Sequence, residues 1–412
     1  MKILPYIYLF YMFVSLYFFF FYVILYKRNK ERLYEVPKIK KRYTISVLIP
    51  AWNEEGTLRG TVESVIGSAR GYPLKEIIII NDASTDGTLR LARELAGKYS
   101  IVRVLNNKRN LGKAGGLNRA IPLVRGELIA VVDSQSYLER DSIKNLIGFF
   151  EEQRVGVATA KILVRHKVKF LEKLQALEYA VIAFTRKMLG FIDCIYVTPG
   201  PLSIYRKEVL LEVGGFDTKN LTEDIEMTWR IVSRGYSVRM GLSSHVETVT
   251  PNKFKKWWRQ RNRWNMGGLQ CLIKYKKMMF NKENNMLGMF IVPYFALTLF
   301  LGLLGLGIFI YLTIRNMLSS ILYTKYTIAA GSSLITLNDF YFTATVLNFL
   351  GIALFIASLI FTIIGLRAIK QEGVKIYSPP LMAAYLLIYL TIYPIILINS
   401  IIRLIRGDVK WW

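Results

Sequence analysis

Cysteine and histidine are nearly missing from this 412-residue chain, which has two of each. Cys194 and Cys271 cannot build a disulfide framework, and no Cys-x-x-Cys spacing exists. They read as buried fillers. His166 and His245 are too few for a His-rich metal site or a Ser-His triad, and His245 reads as structural. Acidic residues are scarce as well: Asp+Glu number 29 against 55 Lys+Arg, for a net charge of +26. Such an excess points to nucleic acid, anionic lipid or phosphorylated small molecules. Much of the charge borders apolar runs, so membrane lipid ranks first and no nucleic-acid partner is expected. Neither a Gly-x-Gly-x-x-Gly turn nor a Walker A loop is present, which excludes the usual dinucleotide and P-loop sites. There is no internal repeat and no low-complexity segment.

What the chain has instead is apolar surface. Hydrophobic residues make up 53% of it, which argues for several membrane spans and against a disordered chain. Residues 3–26 carry no charge, and as a helix they reach about 36 Å, enough to cross a bilayer. The run is too long for a signal peptide and no small-residue cleavage site follows, so a retained helix is expected. Residues 27–42 then hold eight basic and two acidic residues, which puts that flank in the cytoplasm by the positive-inside rule. Further uncharged runs cover residues 284–314, 340–366 and 376–402. A moderately apolar segment at 317–337 leaves three or four carboxy-terminal spans open, and with them the side of the tail. The organisation expected is a transmembrane helix and basic linker (1–42), a cytoplasmic domain (43–250), interfacial helices (251–283) and a transmembrane region (284–412). The protein is thus expected to be a multi-pass protein of the cell membrane.

The polar region alternates β-rich apolar runs with helical patterns. Runs at 45–50, 76–82 and 127–133 are apolar on both faces, which argues for a parallel sheet in an α/β domain. In such sheets ligands bind beyond the carboxyl ends of the strands. The three runs lead, in turn, into Pro50-Ala51-Trp52-Asn53-Glu54-Glu55, Asn81-Asp82-Ala83-Ser84-Thr85-Asp86-Gly87 and Asp133-Ser134-Gln135-Ser136. Carboxylates gathered there suit a hydroxyl-rich ligand or a hard divalent metal. Each end alone could be a helix cap, as Asp82 or Ser84 would be; three in register are harder to explain that way. Residues 170–189 place Leu174, Leu177, Val181 and Phe184 on one helical face, which fits a core helix or one lying on the membrane surface.

Together these motifs resemble the nucleotide-sugar domain of family 2 glycosyltransferases. PAWNEE, NDASTDGT, NKRNLGKAGGLN and VVDSQS come in the family's order. Thr222-Glu223-Asp224 resembles its TED motif, Gln260-Arg261-Asn262-Arg263-Trp264 its Q-x-x-R-W motif, and PGPLSIYR (199–206) its acceptor-side segment. The set covers residues 43–270, and the flanking spans resemble the membrane-integrated synthases of hyaluronan, chitin, poly-N-acetylglucosamine and cellulose. The resemblance implies a GT-A-like α/β domain with a mixed, mostly parallel sheet, plus transmembrane α-helices. It implies an inverting transfer from a UDP-sugar, of GlcNAc or glucose type, to a growing polysaccharide that the protein also translocates. Ala51, Glu54 and Asp82 would line the uridine pocket. Lys113 would approach the diphosphate, and Asp133 would stand beside ribose, diphosphate and a Mg²⁺ or Mn²⁺ ion. Asp224, after Glu223, would be the general base. Glu223, Gln260, Arg263 and Trp264 would hold diphosphate and acceptor sugar. Apart from the resemblance, Trp257, Trp258 and Trp264 lie in KFKKWWRQRNRWN, which also reads as an interfacial helix with aromatic and basic anchors.

One position departs from the family. Where its D-x-D signature has a second carboxylate, this chain has Gln135, a weaker ligand for a hard cation. Transfer of one sugar to a lipid acceptor is the alternative, and an inactive partner subunit a third. Four or five spans form a narrow channel only with tight packing or as a homo-oligomer.

Overall fold

The computed structural model describes residues 4–69, 71–330, 346–369 and 378–408. A long helix, α1 (Leu4–Asn29), leads through the basic linker into the polar domain. There the chain runs β1 (Ile45–Ala51), α2 (Leu58–Ser68), β2 (Leu74–Asn81), α3 (Thr88–Lys98), β3 (Val102–Asn106), α4 (Gly112–Ala120) and β4 (Leu128–Val131). It continues with β5 (Ser136–Leu138), α5 (Lys144–Ile147), β6 (Val155–Val164), α6 (Phe170–Gly190), β7 (Ser203–Arg206), α7 (Lys207–Glu212), α8 (Glu223–Ser233) and β8 (Ser237–Thr248). Helices α9 (Phe254–Tyr275), α10 (Val292–Ala329), α11 (Val346–Ile369) and α12 (Pro379–Ile405) complete the described chain.

The strands form one eight-stranded sheet in the order β3-β2-β1-β4-β7-β6-β8-β5. Strand β1 pairs in parallel with β2 and β4, β2 with β3, and β6 with β8; β7 runs antiparallel between β4 and β6, and β5 antiparallel to β8. The sheet is therefore mixed and mostly parallel, as the motifs implied. Its centre is buried on both faces: Leu48, Ile78 and Ile80 belong to one apolar cluster, Ile45, Val47, Ile77 and Ile79 to the other. That is why the sequence shows continuous apolar runs rather than alternation.

Among the described residues four helices are long and apolar enough to cross a membrane: Pro5–Arg32, Leu287–Tyr326, Phe349–Ile369 and Pro379–Ile405. The apolar run at 284–314 does not end there. The segment 317–337, considered above as a separate span, continues the same helix as far as Ala329, and residues 331–337 lie outside the described ones. So do the first residues of the runs at 340–366 and 376–402. Between Val292 and Ala329 nothing in the sequence breaks a helix, and Arg315 is simply accommodated.

The amphipathic helix α6 resolves its two readings into one. Its buried residues include Leu174, Leu177 and Phe184, and it lies between the sheet and the long helices. Phe184 meets Phe361 of α11 and Tyr26 of α1 edge-on, at 5.6 Å in each case. The apolar stripe packs inside the protein, on helices that carry the spans. The carboxy-terminal end of α11 is tied to the domain: Tyr34 Oη donates to Ala368 O at 2.9 Å, and Lys161 Nζ to Ile369 O at 3.3 Å.

Candidate active site

The loops beyond β1, β2 and β4 come together. Asp82 N donates to Ala51 O at 2.9 Å, which joins the first two strand ends. Asp82 does not cap α3. Its carboxylate accepts Asn107 Nδ2 at 2.8 Å and Leu111 N at 2.9 Å, so it anchors the loop before α4, while Asp86 accepts Thr88 N at 3.0 Å near the start of α3. Asn53, at φ 56, accepts Thr85 N and donates its own N–H to Ser84 Oγ. Ala51 and Asp82 are buried, and Glu54 is half-buried. Burial raises the Glu54 pKa, as do the charges of Asp133 and Asp86; a hydrogen bond from Thr57 opposes this.

A second cluster lies beside the end of β4. Lys113, from the first turn of α4, bridges Asp133 Oδ1 at 2.6 Å and Glu223 Oε1 at 3.0 Å. Burial alone would lower the pKa of Lys113, but the fields of Asp133, Glu223 and Asp224 overcome this and raise it. The ammonium therefore stays charged. Gly200 closes the cluster from the PGPLSIYR segment, and Asp133 N donates to Gly200 O at 3.1 Å. A Cβ on Gly200 would lie 2.3 Å from Lys113 Nζ and 2.6 Å from both Asp133 carboxylate oxygens. Gly200→Ala is therefore expected to part Lys113 from Asp133 and cut turnover at least tenfold, about 1.4 kcal/mol of barrier. Circular dichroism should stay unchanged. Normal turnover would show that the Lys113–Asp133 pair does not matter to the reaction.

Glu223 and Asp224 open α8. Burial pushes Asp224 up, Glu223 pushes it further, and Lys113 and Arg263 pull it back, leaving it at about 6. Glu223 goes the other way: burial raises it, but Lys113 and Arg263 hold it below the usual carboxylate range. Asp224 has no ion pair with Arg230 or Arg234; Arg230 binds Glu226 instead.

One face of α9 is stitched to this segment. Arg263 Nη1 donates to Leu221 O at 3.2 Å, and Leu221 N donates to Gln270 Oε1 at 2.9 Å. Lys274 Nζ and Tyr275 Oη reach Glu226 at 2.7 and 2.8 Å. Between them Gly267 lets the helix approach, since a Cβ there would meet Thr222 Oγ1 at 2.1 Å. The other members of the Q-x-x-R-W motif turn elsewhere. Gln260 accepts Arg261 Nη1 at 2.7 Å, and the Arg261 guanidinium lies 4.1 Å from the centre of the Trp264 ring. Trp257 is buried against Phe254 rather than exposed as an anchor.

The profile described as "Glycosyltransferase like family 2" matches residues 42–267, more than half of the chain. The chain belongs to glycosyltransferase family 2. A poly-beta-1,6-N-acetyl-D-glucosamine synthase of Staphylococcus aureus (strain MSSA476) is 29% identical over 262 residues, covering 63% of this chain and 62% of that protein. A probable glycosyltransferase, YdaM, of Bacillus subtilis (strain 168) is 28% identical over 284 residues, covering 67% and 66%. The matched stretch thus spans less than two thirds of either relative's length. Among solved structures, the mannosyltransferase PcManGT of Pyrobaculum calidifontis, in complex with GDP-Man and Mn²⁺, superposes with a TM-score of 0.57. It is 17% identical, and the match covers 95% of this chain and 97% of that one, which shows a shared GT-A-type fold.

For this family 2 glycosyltransferase the donor set tests the metal. Among the described residues no three His, Cys, Asp or Glu side chains form a metal-binding group. Gln135 is exposed on the loop between β4 and β5, and its backbone carbonyl accepts Val249 N at 3.3 Å. Mg²⁺ usually takes only one or two protein carboxylates and completes its shell with water and substrate phosphates. Asp133 with a diphosphate meets that requirement, so the residues fit a metal held mainly by substrate.

The structure adds residues that the motifs did not single out. Gly200 is only one letter of a sequence segment, and its role needs the contact with Lys113 across the fold. Arg261 occupies a variable position of Q-x-x-R-W, yet it is fully buried and paired with Glu178 of α6. The helical face of residues 170–189 is the only sequence signal near Glu178, and it points at apolar neighbours.

Proposed function

We propose that this chain transfers a sugar, with inversion, from a UDP-sugar to a growing polysaccharide, and passes the product along its membrane helices. The observation that carries the reading is the Lys113–Asp133–Glu223 network beside Asp224. A carboxylate held at about 6 is poised to take a proton from an attacking hydroxyl near neutral pH. Lys113 and Arg263 supply positive charge where a diphosphate would leave, and Ala51, Glu54 and Asp82 form a separate recess for the base. A divalent ion held by Asp133 would add charge neutralisation to the leaving group. Trp264 offers an acceptor sugar a ring to stack on.

Polymer rather than a single lipid-linked sugar is favoured by what lies between α6, α9 and α12. Tyr389 sits between Tyr385 and Tyr393, with ring centres 4.5 and 4.9 Å apart. Nearby, Glu178 Oε1, Arg261 Nε and Tyr389 Oη are buried with no hydrogen-bond partner among the described residues. Ionisable and polar groups at such depth are costly and mark pathways for polar cargo, and sugar hydroxyls would satisfy them. The deciding experiment gives purified protein in lipid a panel of radiolabelled UDP-sugars. Long polymer supports the proposal, a single glycolipid favours transfer to lipid, and no product with any donor defeats both.

Two further results are expected. A base works as its carboxylate, so kcat/KM should fall as pH drops through about 6. Glu223→Gln removes the like charge beside Asp224 and should move this acid limb to lower pH; a limb that stays put would detach it from Asp224. Gln135→Asp should tighten Mn²⁺ in the presence of UDP and raise transfer, by restoring a hard anionic ligand. Unchanged Mn²⁺ affinity with lower activity would mean that position 135 does not face the metal.

A further inference from the structure

Three arginines are buried among the described residues. Arg206 donates to the carbonyls of Val155 and Glu152, and Arg261 pairs with Glu178. Arg186, near the end of α6, is only 7% exposed, yet among the described residues no hydrogen bond or ion pair holds it, and its Nε is buried without a partner. Burial lowers the Arg186 pKa, and the fields of Tyr196, Asp224 and Tyr179 oppose this. A guanidinium keeps its charge in proteins all the same. An unpaired charge at such depth destabilises a fold, so packing gives no reason for it, whereas a ligand does.

The chain around Arg186 leads to Asp224. Tyr179 lies seven residues earlier, two turns away on the same face of α6. After α6, the chain is stitched to α8: Tyr196 O accepts Trp229 Nε1 at 3.1 Å, and Thr198 N donates to Thr228 Oγ1 at 2.9 Å. Thr228 Oγ1 in turn donates to Asp224 O at 2.6 Å. The Tyr196 ring meets Phe295 of α10 edge-on at 6.1 Å. Arg186 thus approaches Asp224 from the helix that packs on α1 and α11, whereas the proposed uridine recess is built at the ends of β1 and β2. Further buried groups on α6, α9 and α12 have no hydrogen-bond partner among the described residues: Glu178 Oε1, Arg261 Nε, Asn265 Nδ2 and Tyr389 Oη. They include donors and acceptors. Hydroxyls both donate and accept and so satisfy both kinds, whereas a phosphate or carboxylate would satisfy only the donors.

We propose that Arg186 binds the terminal sugar of the acceptor, donating to two of its hydroxyl oxygens and so holding the attacking hydroxyl beside Asp224. This rests on the reading of the chain as a polysaccharide-forming transferase. The guanidinium presents five N–H donors in a fixed plane, so adjacent hydroxyls of one ring are fixed together. Arg186 then serves the acceptor, and Lys113 and Arg263 serve the donor.

The test measures binding without turnover, on the full chain in detergent with UDP present. The probes are radiolabelled pentamers of β-1,6-linked N-acetylglucosamine and of β-1,4-linked glucose. The wild type should bind at least one of them. Arg186→Met should bind it at least tenfold more weakly and keep UDP affinity within twofold. It should also unfold at the same or a higher temperature, since it buries no unpaired charge. Arg186→Lys keeps the charge and carries the test if Arg186→Met folds poorly; without the planar fork it should lose at least threefold in pentamer affinity. Equal pentamer affinity in all three proteins, or no binding of either pentamer by the wild type, overturns the proposal. A matching loss of UDP affinity overturns it as well, by placing Arg186 at the donor. Arg186-dependent pentamer binding in a protein that makes no product from any UDP-sugar would keep the acceptor site and defeat only the transfer reading.

Discussion

Asp224→Asn is expected to keep UDP bound and to stop sugar transfer. The substitution preserves size and the hydrogen bond from Ile225 N, and leaves the Lys113–Asp133–Glu223 bridges in place. What it removes is the ability to accept a proton. Loss of a general base typically lowers the rate by about 10²–10⁴. The comparison is UDP affinity by calorimetry against transfer of a radiolabelled sugar. Turnover within a few-fold of wild type would assign the proton to another group. Loss of UDP binding in the same variant would mean that Asp224 holds the donor rather than activating the acceptor.

The second large effect is on stability. Arg261 and Glu178 form an ion pair with side-chain exposures of 0% and 2%, joining α9 to α6. Removing one member of such a pair leaves a buried charge and typically costs about 3–5 kcal/mol. Glu178→Ala should therefore unfold the protein at markedly lower temperature. The double variant Glu178→Leu with Arg261→Met should recover most of the loss, because it buries no charge. Thermal unfolding of the two variants in detergent checks this. A double variant as unstable as the single one would show that the pair contributes directional bonds that apolar packing cannot replace.

Much of the fold can be read without coordinates because its signals are local. Ile77 to Ile80 make a β-branched run that must be buried on both faces, and a parallel strand flanked by helices does that. The apolar helices are equally plain, since an uncharged run of bilayer length has few other uses. The motif order is enough to identify the family. Other features stay hidden for equally physical reasons. Residue 317 looks like the start of a new span, but helices end at breakers and caps, and none stands between the two apolar runs. Asp82 looks like a cap, but in the fold it faces Asn107 and Leu111, twenty-five and twenty-nine residues away.

The amino-acid order alone therefore specifies the α/β domain, its family and its association with long apolar helices, since periodicity, hydropathy and motif order are properties of neighbours along the chain. Which charges meet is settled by packing. Lys113 lies 20 residues from Asp133 and 110 from Glu223, yet one ammonium bridges both carboxylates. Gly200 matters because that bridge leaves no room for a methyl group. Coulombic pairing and close contact depend on distance in space and on burial, and a linear chain specifies neither until its layers have packed.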